Sequence, residues 1–247
     1  MRKDELFMSN TKNCCIDGLE ILDEMTDEEL LVLRDIYLKK GGITCNLDSY
    51  SDYRANPDRP STYTHLLRRE LKEYGSNTFS FGCNSYKEIL IKVCEKMKVN
   101  FNSQQSIEHI EHNLLEKVLA DSWEKMSNAD KENILQQTGQ TGSMKGASSL
   151  VLLQVFRAGG FASYQLAVVI ANIIAKMVLN RGLSLAANAA LTRVLSVFAG
   201  PVGIAITALW TIVDIAGPAY RVIIPAVIYI AAMRHAHSNK AYKDLKF

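Results

Sequence analysis

Charge is nearly missing from the last third of this 247-residue chain. Across 148–233 the charged residues are Arg157, Lys176, Arg181, Arg193, Asp214 and Arg221, and Ala, Val, Ile, Leu and Gly fill most of the rest. A stretch so poor in charge has to be buried, either in a helical core or in lipid. Sustained period-two alternation of branched residues is also missing, which speaks against strands and for helices throughout. The first ten residues, MRKDELFMSN, hold no apolar run of the roughly 7–15 residues that a secretory signal needs. No CxxC pair occurs among Cys14, Cys15, Cys45, Cys83 and Cys94, an odd set that fits reduced thiols better than a disulfide framework. The chain is therefore expected in the cytoplasm. A net charge of only +2 lacks the concentrated basic face that phosphate neutralisation requires, so no nucleic-acid partner is expected.

Charge is concentrated in the first 147 residues, with 19 Lys/Arg and 24 Asp/Glu. An acidic, polar module is thus fused to an apolar, weakly basic one. We expect a polar amphipathic helical domain over 1–137, a linker over 138–147, an apolar helical domain over 148–237 and a basic tail over 238–247. The linker reading rests on TGQTGSMKGA, which is rich in small turn formers and has no apolar anchor. The tail carries Lys240, Lys243 and Lys246 against Asp244, and reads as a solvated end or a membrane-surface contact.

In the polar half, helix starts are marked chemically. Thr26 with Glu29 and Ser85 with Glu88 have capping-box spacing, and Ser127 with Asp130 opens a further short helix. Apolar positions recur at three and four in Leu30, Leu33 and Ile36, in Tyr63, Leu66, Leu67, Leu71 and Tyr74, in Tyr86, Ile89, Leu90, Val93, Cys94 and Met97, and in Ile107, Ile110, Leu114, Val118 and Trp123. Gly41-Gly42 and Gly75 are placed to end two of these helices. Residues 43–60 read as a long surface loop with two prolines. In the apolar half we expect a helix over 149–180 bent near Gly159-Gly160, a helical hairpin over 184–216 turned at Gly200, Pro201, Val202 and Gly203, and a last helix kinked or broken by Pro225. The fold class is all-α: an amphipathic N-terminal bundle with apolar, Gly/Ala-rich helices after it.

Uncharged runs over 158–175 and 194–213 are long enough for a bilayer of roughly 30 Å. The second is divided by its own turn, and its arms are rich in Ala and Gly, which favour close helix packing in lipid or in water. The sequence leaves open a soluble apolar core, reversible membrane contact through 148–233, and a constitutive multi-span arrangement. Asp214 is the one acid in that region, seven positions before Arg221, and the pair reads as a structural ion pair or a polar switch. With Tyr220, Pro225, Gly200, Pro201 and Gly203 it makes up the candidate structural or switch positions.

Catalytic signatures are scarce. His109 and His112 share a helix with Glu108, Glu111 and Glu116, yet neither HExxH nor a di-iron Glu-x-x-His pattern occurs. Gly139, Gly142 and Gly146 do not fit a phosphate loop, GxSxG is missing, and His235 and His237 point about 200° apart on a helix. No catalytic residue, cofactor or metal site is assigned.

Several segments together resemble the uncharacterised bacterial YaaW family: Glu70-Leu71-Lys72-Glu73-Tyr74-Gly75, Tyr86-Lys87-Glu88-Ile89-Leu90, Trp123-Glu124-Lys125-Met126, Gly200-Pro201-Val202-Gly203, and Ala219 through Val227 with Tyr220, Arg221 and Pro225. Ser76 stands where that pattern has a second glycine. The resemblance spans about Leu19 to Arg234 and is weakest over 139–180. It is similar, remotely and over the N-terminal module, to the ubiquinol-cytochrome c chaperone fold, which implies helper or assembly work rather than catalysis. The expected function is a non-enzymatic, chaperone-like interaction protein with an unidentified protein partner, at or near the inner membrane surface. The alternatives are a pore-forming or membrane-inserting effector using the 184–216 hairpin and, third, a metal-dependent enzyme on a helical bundle.

Overall fold

The computed structural model describes residues 18–41, 45–79, 85–137, 149–184, 200–201, 203–204 and 220–239. Its α-helices are α1 (Asp27–Gly41), α2 (Ser51–Ala55), α3 (Thr64–Phe79), α4 (Tyr86–Lys96), α5 (Ile107–Glu124), α6 (Asn128–Gln137), α7 (Ser149–Ala158), α8 (Gly160–Leu179) and α9 (Tyr220–Ser238), and no strand occurs among the described residues. The polar half starts its helices where side chains satisfy the first free N–H groups. The Thr26 N–H donates to the Glu29 carboxylate at 2.8 Å while the Glu29 N–H donates to the Thr26 hydroxyl at 3.4 Å. Ser85 and Glu88 form the same reciprocal box ahead of α4, at 2.8 and 3.3 Å. Ser106 and Ser127 accept from His109 and Asp130 at the starts of α5 and α6.

The helix that comes last in the chain sits at the centre of the packing. Helix α9 lies against α1, α3, α4 and α5 of the charged half and against α8 of the apolar half. Every residue from 222 to 233 is buried, as is every residue from 163 to 175 of α8. By contrast α4 and α5 are buried along one stripe: Tyr86, Ile89, Leu90, Val93 and Cys94 in the first, Ile110, Leu114, Leu115, Val118, Leu119 and Trp123 in the second. Tyr63 and Tyr74 join the same core.

Several local expectations give way to tertiary packing. Pro225 sits inside α9 without breaking it into two helices. An interior proline costs about 3 kcal/mol, whereas each large apolar side chain buried around it contributes roughly 1.5–3 kcal/mol. Gly75 does not end α3, which runs on to Phe79 with Gly75 itself buried. Residues 45–60 are not a structureless loop: a 3₁₀ turn at Leu47–Ser49 buries Leu47, α2 follows, and Tyr53 meets Tyr63 edge-on at 5.6 Å. Gly200, Pro201, Gly203 and Ile204 carry helical backbone rather than a turn, consistent with proline's φ already matching the helix. The expected bend at Gly159-Gly160 is a full break between α7 and α8, with φ of 73° and 72° that favour glycine. The rest of the 184–216 hairpin, Asp214, the 138–147 linker and the tail beyond Asn239 lie outside the described residues.

Candidate functional site

The last third of α9 carries the charged and imidazole groups that its buried middle lacks, and each reaches a different helix. Arg234 donates from Nε to Glu111 Oε2 at 2.7 Å, and its Nη2 donates to the Gly18 carbonyl. The other Glu111 oxygen accepts the Tyr86 hydroxyl at 2.6 Å. This ties α9 to α4, α5 and the segment ahead of α1. Glu111 is only 2% exposed, and burial pushes its carboxyl up to about 7 against the pull of Arg234. Gly18 makes the approach possible: its φ is +78°, and a Cβ there would lie 2.4 Å from the Ile107 Cδ1.

His237 and Tyr229 tie the same helix to α1. His237 Nε2 donates to Glu29 Oε2 at 3.2 Å, and the Tyr229 hydroxyl donates to the Glu29 carbonyl at 2.8 Å. Burial works to raise the Glu29 carboxyl, yet hydrogen bonds from His237 and Thr26 hold it below the usual carboxylate range. The residue that caps α1 therefore also anchors α9.

His235 faces the other way, as its spacing from His237 requires. Its Nε2 lies 2.7 Å from the Ser163 hydroxyl of α8, which itself donates to the Phe156 carbonyl of α7 at 2.8 Å. The serine proton is thereby taken, so the imidazole is the donor of the pair. His235, Phe156 and His112 of α5 form a triangle of rings with centroids 4.8, 4.5 and 5.6 Å apart. Behind His112 stands Glu116, which pairs with His112 at 3.3 Å and with Arg157 of α7 at 2.5 Å. Burial, and then His112, lower His235 to about 4; burial likewise lowers His112.

Helix α8 is held at its far end by α1. The Lys39 ammonium donates to the Val178 carbonyl, a cation at a helix C-terminus. Asn180 turns out of the helix at φ 57°, and Glu28 accepts from the Ser184 N–H at 2.9 Å and from Arg181 at 3.4 Å.

These contacts join one helix to another. Ser163 and His235 are at nucleophile–base distance, but the serine is fully buried and its proton points at a carbonyl. Burial pushes the Cys94 thiol up to about 12 and Cys45 up to about 11, leaving little thiolate at neutral pH. The histidines and acids of α5 do not converge: His109 caps the helix with Ser106, His112 joins the ring triangle, Glu111 pairs with Arg234 and Glu116 with Arg157. Among the described residues no group of three or more His, Cys, Asp or Glu side chains is placed to hold a metal ion.

Of the positions singled out in the sequence, Tyr220, Arg221 and Pro225 lie on α9, with Tyr220 half-buried beneath the Lys96 ammonium at 5.3 Å. A Cβ on Gly203 would lie 4.0 Å from Ile173 of α8, and one on Gly200 would have open space. The seam residues Glu29, Glu111, Ser163, Arg234, His235 and His237 were not singled out as a site. For Arg234, His235 and His237 the signal is their clustering directly after twelve uncharged residues, 222–233.

A relative in Helicobacter pylori described as a UPF0174 protein is 42% identical over 239 residues, covering 92% of this chain and 94% of its own. A second from that organism is 35% identical over 76% of this chain and 95% of its own. The UPF0174 protein YaaW of Escherichia coli is 26% identical over 75% of this chain and 76% of its own. No solved structure matches. The sequence profile of the ubiquinol-cytochrome C chaperone family matches residues 66–227, from within α3 into α9, and so runs past the N-terminal module to which the sequence resemblance confined it. The chain belongs to the UPF0174 (YaaW) family and, by that matched span, to the ubiquinol-cytochrome C chaperone family.

Proposed function

We propose that this protein is a non-enzymatic holding chaperone for apolar helical segments of a protein partner, working at the cytoplasmic face of the inner membrane. The observation that carries this reading is the chaperone-family match across 66–227, taken with what the fold does to its own helices. Helix α8 is 20 residues long and apolar enough to cross a bilayer, yet 78% of its most apolar stretch is buried in the protein. Charged-faced helices cover it and α9, cap its C-terminus, and tie it down with polar side chains at the edge. A client helix poses the same physical problem that α8 and α9 pose within the chain.

In this reading residues 1–137 supply the polar walls, 148–237 the apolar contents, 138–147 the joint and 238–247 a basic contact to anionic lipid. The protein binds without turnover, so its effect is stoichiometric. The test is aggregation of a purified apolar client peptide, a single-span segment diluted from detergent, in the presence of the full chain and of vesicles with and without anionic lipid. Suppression that saturates near one chain per client, needs no nucleotide and strengthens on anionic vesicles supports the proposal. No suppression at a several-fold excess, with or without vesicles, contradicts it. Leakage of the vesicle contents would instead favour the membrane-inserting alternative through 184–216.

A further inference from the structure

Helix α7 is attached in a way that sets it apart from its neighbours. It is ten residues long and joins α8 through Gly159 and Gly160, both at positive φ, with open space where a Cβ on Gly159 would lie. The two glycines themselves add no side chain that would resist rotation at the junction. What holds α7 down at this end, beside the burial of Leu152, Leu153 and Val155, is the ring triangle at Phe156, the Ser163 bond to the Phe156 carbonyl, and Arg157 on Glu116. Two of the three rings are imidazoles contributed by different helices, His112 from α5 and His235 from α9.

We infer that the triangle of His112, Phe156 and His235 is an acid-sensitive latch: when both imidazoles take up protons, α7 swings away on its glycine hinge and uncovers apolar surface. The charged and titratable groups around it define the response. From α5 come His112, with His109 one turn before it and Glu116 one turn after; from α7 comes Arg157, already paired with Glu116; α8 contributes Ser163, which does not titrate. The first proton goes to His112, which has Glu116 beside it at 3.3 Å. A single imidazolium against the Phe156 ring is tolerated, because aromatic faces attract cations. The second proton has no such support. No carboxylate pairs with His235 among the described residues, and the charge would sit 5.6 Å from the first in a largely buried site. The neighbours of His235 on α9 do not relieve it, since Arg234 is engaged by Glu111 and His237 by Glu29. Burial, followed by His112, is what holds the His235 ring neutral down to about 4, so opening belongs to the range below the usual histidine value of 6.5.

The inference deepens the holding role by giving it a release step, and it rests on that reading only for its purpose: opening of α7 is measurable with no client present. The experiment is hydrogen exchange of the full chain at a series of pH values from 7 down to 4, corrected for intrinsic exchange rates. Peptides covering 149–161 are compared with those covering α4. The expected result is a loss of protection of about tenfold or more over 149–161 as pH falls, at values where α4 stays protected. In His112→Gln/His235→Gln, which keeps a donor for Ser163 but cannot be charged, that loss is abolished. The single variant His112→Gln removes one charge and should lower the midpoint by about one pH unit, so the latch stays testable should the double variant fold poorly. An unchanged midpoint in the single variant overturns the inference, as does simultaneous loss of protection over 149–161 and α4 in the wild type. Client holding measured at pH 7, where both rings are neutral, is unaffected by either outcome and tests the proposed function separately.

Discussion

Helices α5 and α9 lie against each other and are built on opposite plans. Helix α5 buries one stripe and leaves Glu108 and His109 in solvent, so its own three-and-four pattern states which way it faces. Helix α9 is buried on every side over 222–233 and carries its charged and imidazole groups outside that stretch, so its sequence does not say what surrounds it. The first kind of helix is oriented by its pattern; the second is oriented by what its ends can bond to. Arg234, His235 and His237 do for α9 what amphipathicity does for α5, fixing rotation by sending three side chains to three different partners.

The comparison can be broken most severely by removing the all-round helix. Deletion of 220–247 strips the neighbour shared by α1, α3, α4, α5 and α8, and thermal unfolding followed by circular dichroism should lose its cooperative transition altogether. Next in size is Arg234→Ala, which leaves Glu111 buried without its cation; urea unfolding should show a loss of about 3–5 kcal/mol, with Arg234→Lys recovering part of it. Gly18→Ala forces a Cβ against Ile107 at a φ of +78° and should cost about 1–3 kcal/mol by the same measurement. Smaller, and confined to the pattern-oriented helices, is Ser85→Ala, which removes the box of α4 for about 1 kcal/mol.

A pH series sharpens the contrast further, because a histidine of the seam and a buried carboxyl of α3 titrate in opposite senses. His235 is lowered to about 4 from 6.5, so the stability it contributes is present above 6.5 and lost as pH falls toward 4. Glu70, which burial raises to about 7 against the Asn46 N–H, contributes stability present below 4.5 and lost as pH rises toward 7. The two slopes are opposite and overlap between 4.5 and 6.5, so the melting temperature should be nearly flat there and fall only toward 4 and toward 7. His235→Gln should leave a steady fall in stability as pH rises from 4.5 toward 7, whereas Glu70→Gln should weaken that fall without abolishing it, since buried Glu111 is raised to about 7 as well.

Much of the polar half was legible because local chemistry and tertiary environment agree there. Thr26 with Glu29, Ser85 with Glu88, and the stripes of α4 and α5 are satisfied within one or two turns, and the all-α class follows from them. Where packing opposes local preference, the helix end expected at Gly75 and the break allowed for at Pro225 do not occur. Pro225 and Gly75 are tolerated because neighbouring helices bury them, information that a single stretch of sequence does not hold. Leu47, Tyr50 and Tyr53 anchor a segment that prolines made look open. The seam was half visible: Glu111 and His112 drew notice as metal ligands, whereas their partners are Arg234 and Phe156, more than forty positions away for each. Spacing along a helix shows which residues share a face. It does not show what that face meets.

The claim on which the account stands is that charged helices shelter α9 and hold it as part of their own core. Native-state hydrogen exchange under rising urea, reading peptides over 222–233 against peptides over α5, tests it most directly. The account predicts that both exchange only through the same global unfolding, with equal free energies and equal urea dependence. Exchange over 222–233 through a lower-energy opening while α5 stays protected would contradict it.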